Sequence, residues 1–188
     1  MKRHKNASLL CLVVLLATLL PAVVTAAEPP QYRGTYRISD LAAAEVARDT
    51  AVEGLAARIP ILFRAIARMR MSAVATVTLF FRFEPSAGMM TIVSDRSTGW
   101  TTDLVGTEVK LPAPGGGVFY LSRWMEESSL CSRGRRDNGT RDSRFEVSAD
   151  GSRLRVTTTI RNPHLPAPLV YAADYRLEAS AARVSPQR

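Results

Sequence analysis

The sequence predicts a mainly β protein: an antiparallel meander closing into a small barrel or strongly curved sheet, with one kinked amphipathic helix near its N-terminus. Three observations carry this. Apolar residues recur with period two over most of the chain beyond Met71, turn signals recur at hairpin intervals, and one stretch, residues 41–71, has a helical period. Closure removes the exposed edges that an open meander would present to other chains.

Residues 1–26 read as a Sec-type signal peptide, which predicts a periplasmic or extracellular protein. Lys2, Arg3, His4 and Lys5 form a basic start, residues 9–24 an apolar run of 16, and Val24-Thr25-Ala26 or Thr25-Ala26-Ala27 a small-residue cleavage site. That run contains Pro21 and falls short of the roughly 20 apolar residues a spanning helix needs, so an uncleaved anchor is the weaker reading. Cys11 follows Leu9 and Leu10, which does not suit a lipid-modified cysteine. Residues 27–30 form a spacer, residues 31–178 one domain, and residues 179–188 a disordered tail.

Loss of the leader leaves 162 of the 188 residues, enough for one core. Lys2, Arg3 and Lys5 go with it, so 25 basic residues become 22 against 17 acidic ones, a net charge of +5. Lys110 is then the only lysine; arginine carries the rest, a bias we read as largely genomic. Cys131 is the only remaining cysteine, so no intramolecular disulfide can form and stability rests on burial.

Along the chain, residues 32–38 suit a first strand, and Ser39 and Asp40 offer N-cap oxygens. In residues 41–71, Val52, Leu55, Ile59, Leu62, Ile66 and Met69 alternate at intervals of three and four, forming one stripe with Arg64 and Arg68 opposite. Pro60 interrupts it and predicts two helical pieces, with Pro60 in the first turn of the second. Ala75, Val77, Leu79, Phe81 and Phe83 then alternate as one strand face. Shorter strands follow at residues 89–93, 99–104 and 107–111, a loop at 112–117, and strands at 118–124 and 125–131. Asn138-Gly139 and Asp150-Gly151 mark hairpins; Phe145, Val147, Leu154, Val156, Thr158 and Ile160 form a half-buried ladder around the second. Three prolines break residues 162–168, and the last strand puts Leu169, Tyr171, Ala173, Tyr175 and Leu177 on one face.

Three segments carry a family resemblance: Arg64-Ala65-Ile66-Ala67-Arg68, Phe145-Glu146-Val147-Ser148-Ala149-Asp150-Gly151, and Leu165-Pro166-Ala167-Pro168-Leu169-Val170-Tyr171 leading to Asp174-Tyr175-Arg176. Over residues 50–178 the chain resembles small secreted bacterial lipocalin-like β-domain proteins of unassigned function. The resemblance implies one secreted β-domain and brings no catalytic residue.

The residues themselves offer little chemistry. Cys131 and His164 are the only nucleophile–base combination after the leader, and nothing in the sequence brings them together. There is no metal-ligand spacing, calcium loop or phosphate-binding glycine motif, so no cofactor or metal is expected. Five arginines in residues 133–144 are interleaved with Asp137 and Asp142, which reads as a solvated hairpin tip. The positive hint is aromatic: Phe81, Phe83, Phe119, Trp124, Tyr171 and Tyr175 lie on strands and are the candidate ligand-binding residues. The expected function is non-catalytic binding of a hydrophobic or amphipathic small molecule in the barrel interior, with neither nucleic-acid binding nor stable membrane insertion once the leader is gone. The alternative is an envelope protein-interaction or structural module whose core is filled.

Overall fold

The computed structural model describes residues 32–113 and 116–179. The leader, the spacer and the tail from residue 180 lie outside the described residues. Within them run β1 (Gly34–Ile38), α1 (Leu41–Ala56), a 3-10 turn (Ile61–Phe63), α2 (Arg64–Val74), β2 (Phe80–Ser86), β3 (Met89–Ser94), β4 (Ser97–Asp103), β5 (Val109–Pro112), β6 (Val118–Glu126), β7 (Ser129–Arg136), β8 (Gly139–Val147), β9 (Arg153–Arg161) and β10 (Leu169–Leu177). The strands form one antiparallel sheet in the order β4-β3-β2-β1-β10-β9-β8-β7-β6-β5, rolled into a nearly closed barrel. The helical hairpin lies across one end, the mouth; the turns β6–β7 and β8–β9 mark the other, the base.

The base is packed with rings. Tyr32, Tyr36, Phe81, Phe83, Phe145 and Tyr175 interlock with centroid separations of 5.2–6.3 Å, mostly edge to face. Truncating one such ring costs about 3–5 kcal/mol, whereas an exposed ion pair contributes about 0–1 kcal/mol. The base, not the arginine-rich exterior, therefore dominates stability. Tyr32 ties it shut: its hydroxyl donates towards Phe145 O (2.7 Å) and Ser128 O (2.9 Å) and accepts from Leu130 N (2.9 Å).

The end strands β4 and β5 do not pair with each other. The seam is crossed by a bridge between Val105 and Trp124, by Gly106 N–H donating to Arg123 O (2.8 Å), and by the Arg123 side chain. Arg123 is 3% exposed, and its Nη1 lies 2.8 Å from Met90 O, 2.6 Å from Trp100 O and 3.3 Å from Thr102 Oγ1. One side chain of β6 thus reaches carbonyls of both β3 and β4 across the seam.

Several details differ from expectation. Pro60 divides the helical region into two pieces, as its position predicts, and these fold back on each other as a hairpin. Asp40 caps α1 by accepting from Ala43 N (2.9 Å), and Pro60, which has no N–H to donate, stands immediately before the 3-10 turn. The reversal resets the helical phase. Val52 and Leu55 are buried, but Leu62, Ile66 and Met69 are exposed, and Met71 is the buried residue of α2. Arg64, expected on a solvated face, donates instead to Ile59 O (2.9 Å) and Ala57 O (3.0 Å), satisfying carbonyls at the end of α1.

The alternation from Ala75 predicts a strand that begins there, yet β2 begins at Phe80. The chain crosses the mouth first, and tyrosine hydroxyls replace a ladder: Tyr171 donates to Thr76 O (3.1 Å) and Tyr175 to Thr78 O (2.9 Å). Asp150-Gly151 is not a two-residue turn. It sits in the loop between Val147 and Arg153, closed by Gly151 N–H to Ser148 O (2.8 Å), with only Gly151 at positive φ (71°).

Burial raises the phenol of Tyr32 to about 12 and pushes those of Tyr36 and Tyr175 upward as well. A phenol raised in the folded state favours folding fully below its unfolded value near 10, and that contribution is lost as pH climbs through the folded value. These tyrosines are therefore expected to ionise together with loss of β circular dichroism above about pH 10. Tyr32→Phe, which orphans Leu130 N–H, is expected to lower the unfolding free energy at neutral pH by about 1–3 kcal/mol. Urea titration with parallel phenolate absorbance checks both. A second substitution, Arg123→Ala, is expected to cost about 3 kcal/mol by stranding buried carbonyls. Amide exchange at Gly106 should then rise as the seam loosens.

Candidate functional site

Above the packed base, the barrel interior opens into a cavity of about 770 Å³ at the mouth, between α2 and the inner faces of β6–β9. Its roof is the underside of the hairpin, chiefly Phe63, Ile66, Ala67 and Met71; its wall includes Phe119, Ile160 and Leu165. The space exists partly because Gly134 occupies an inward position of β7, opposite Leu121 on one side and Arg141 on the other. A Cβ built there would approach nothing closer than Arg141 O at 3.9 Å, so the backbone itself forms that part of the wall.

The polar part of the lining is one-sided. Arg70, Arg135, Arg136, Arg141, Arg161 and His164 contribute to it, and no Asp or Glu does among the described residues. Arg135 is paired with Glu108 (2.8 Å) and Arg161 with Asp142, both on the outer side. Arg141 faces inward and meets no carboxylate among the described residues. It donates to Val74 O and Thr76 O (3.2 Å each) and lies 3.3 Å from Tyr171 Oη, latching the end of α2 to the barrel wall. Cations suit the carbonyl end of a helix. The outcome is an apolar chamber whose opening carries positive charge, able to hold an apolar body with an anionic or polar end near the rim.

The six sequence-derived candidates scatter. Phe119 lines the cavity, its ring 5.8 Å from Trp100. Phe81 and Phe83 belong to the ring cluster of the base, and Tyr175 is buried beside them. Tyr171 is buried in the packing between hairpin and barrel, with Val52, Leu55, Met71 and Ile160. Trp124 faces outward, because the register of β6 pairs it with Cys131 and turns Arg123 and Met125 inward; the Arg133 guanidinium covers its ring at 5.5 Å. The roof residues of α2 and the gap at Gly134 escaped the sequence reading. A glycine inside an apolar strand was the available signal for the latter.

The outward arginines of residues 133–144 are tied to carboxylates: Arg133 to Asp142 (2.7 Å), Arg144 to Glu126 and Glu146. Cys131 and His164 are not brought together. Cys131 packs on the outer side beside Glu126 (Sγ to Oε2 3.5 Å), where burial and then that carboxylate push its thiol up. His164 lies in the loop at the mouth, its N–H donating to Asn162 Oδ1 (2.9 Å). No cluster of three or more His, Cys, Asp or Glu side chains suited to a metal occurs among the described residues.

No family model matches the sequence, and no curated protein matches it. Among solved structures, the chain is similar to fatty-acid-binding protein 1 of Echinococcus granulosus, at 14% identity and a TM-score of 0.48, covering 79% of this chain and 98% of that one. It is similar to the Schistosoma mansoni fatty acid binding protein in complex with arachidonic acid, at 16% identity and a TM-score of 0.46, covering 79% and 96%. It is also similar to the fluorescent protein UnaG, at 15% identity and a TM-score of 0.49, covering 78% and 97%. Identities at this level concern the course of the chain and not the residues of a site.

Proposed function

We propose that the protein is a non-catalytic carrier that binds a hydrophobic or amphipathic small molecule in the mouth of its barrel. The observation that carries this reading is the cavity of about 770 Å³, roofed by apolar side chains of α2 and rimmed by arginine. Ligand pockets typically measure about 300–1,000 Å³ and combine a mainly apolar wall with a few polar groups that fix orientation. The apolar body would lie under Phe63 and Ile66 and against Phe119, leaving a polar or anionic end among the arginines of the rim. Fatty acids and other single-headed amphipaths have that shape. The leader-like residues 1–26 support work outside the cytoplasm, where such a molecule would be carried across water or between envelope surfaces.

Gly134 provides the test. Gly134→Met should fill the cavity from the wall without backbone strain, because a Cβ there has open space. Titration with a fluorescent fatty acid analogue should show saturable binding to the wild type, weakened at least about tenfold by Gly134→Met, with the melting temperature held or raised. Trp124→Ala, on the outer face, should leave binding unchanged. Equal binding by the Gly134→Met variant, or none by the wild type, would return the weight to a module with no ligand.

A further inference from the structure

The tip of the helical hairpin shows an apolar surface of which the cavity uses only Phe63 and Ile66. Ile61 is 76% exposed, Leu62 84%, Phe63 60%, Ile66 51% and Met69 65%. Exposed large apolar side chains are ordinary when scattered singly; five within nine residues concentrate apolar surface at one tip, as interaction surfaces do. Leu62 and Met69 do not line the cavity, and they point away from the barrel that would otherwise bury them.

Basic side chains dominate the charge around this patch. Between Glu53 and Glu84 the sequence holds no acidic residue, while Arg58, Arg64, Arg68 and Arg70 flank the apolar tip. Arg68 is engaged with Glu53 and Arg64 with the carbonyls of α1. The side chains of Arg58 and Arg70 are exposed and meet no hydrogen-bond or ion-pair partner among the described residues. An apolar tip flanked by four guanidinium groups, one of them paired with Glu53, fits a surface that offers hydrocarbon beneath phosphate, since guanidinium binds phosphate oxygens in bidentate fashion. A protein partner of ordinary mixed surface would call for the two signs in closer balance at the rim.

We propose that the hairpin tip docks on an anionic lipid surface, with Leu62, Phe63 and Met69 entering the boundary between headgroups and acyl chains and Arg58 and Arg70 held on the phosphates. The docked face lies beside the cavity mouth, so a hydrophobic molecule could pass between bilayer and barrel with little exposure to water. The docking itself does not depend on what the cavity holds.

The test uses protein recovered from secreting cells, its N-terminus established by intact mass, in flotation with vesicles of phosphatidylcholine alone or mixed with phosphatidylglycerol. Binding should require the anionic lipid and fall steeply as salt rises from about 0.1 to about 0.5 M. Leu62→Asp and Met69→Asp should each weaken it roughly tenfold or more, since a charge then replaces an inserted apolar group. Their melting temperatures should stay at the wild-type value, because both side chains are exposed. Binding of the fluorescent fatty acid analogue should also be unchanged in both, which separates failure of docking from failure of the cavity. Variants that float like the wild type would place any lipid contact elsewhere, including on a retained leader common to all of them, and would overturn the proposal. Equal binding to neutral vesicles would overturn it too, as would a wild type that ignores vesicles but forms a dimer dissociated by Leu62→Asp.

Discussion

The barrel depends on a buried guanidinium that meets no carboxylate among the described residues. Strands β4 and β5 end the sheet without meeting, and a ten-stranded roll with an open seam exposes backbone groups on both lips. Arg123 crosses that gap from β6 and gives its Nη1 to carbonyls of β3 and β4, while its Nε is the one buried side-chain polar atom without a partner among the described residues. Desolvation lowers its ionisation to about 10, so it stays charged at neutral pH. A buried charge without a counter-ion is costly. Here the cost is offset by carbonyl dipoles that would themselves be stranded, and by a seam held in register without a strand to fill it.

With the seam held, the two ends of the barrel take on different characters. The base is solid, with Tyr32, Phe83 and Phe145 interlocked and their polar atoms satisfied. The mouth is left open, because Gly134 withholds a side chain and α2 spans the space without filling it. Filled core and open cavity are therefore not alternatives for this molecule; each occupies its own half. The exterior is arranged by a third rule. Arginines on the outer faces of β7–β9 pair with Asp142, Glu126 and Glu146, whereas Arg141 at the mouth and Arg58 and Arg70 on the hairpin meet no carboxylate among the described residues. Positive charge is neutralised on the walls and kept at a few positions near the opening, Arg70 and Arg141 among them.

What the sequence shows of this depends on how local each feature is. The ladder Leu154, Val156, Thr158 and Ile160 and the final strand are legible, because one face is apolar and the other polar, so period two fixes the inward set. In β6 that argument fails. Phe119 and Met125 face inward while Tyr120 and Trp124 face outward, and with apolar residues on both sides the alternation does not choose; stacking by Arg133 and Arg135 makes the outer aromatics acceptable. The β6–β7 turn at Glu127-Ser128 was hidden for a related reason, since Glu127 takes a positive φ of 55° that its residue type does not announce. The stripe through Leu62 and Met69 looked like core because periodicity records spacing, not what lies opposite. The cavity was least legible of all, being a relation between a glycine in β7 and a helix some 60 to 70 positions earlier.

The position of β1 has a consequence for how the chain reaches this state. It lies between β2 and β10, with Tyr36 opposite Leu177, so one of its edges is completed only by the last strand made. Tyr32, one of the first residues described, likewise waits for the β6–β7 turn and β8 before its hydroxyl is satisfied. Closure therefore joins the two ends of the domain directly, a pairing of high sequence separation that slows folding. A growing chain would hold β1 and the arginine-flanked hairpin half-matched until residues near 177 emerge. A chain cut before β10 would lose a strand, the partner of β1 and the surface on which α1 packs together. Maturation is then a single late event, and the apolar tip of the hairpin is on display throughout the interval before it.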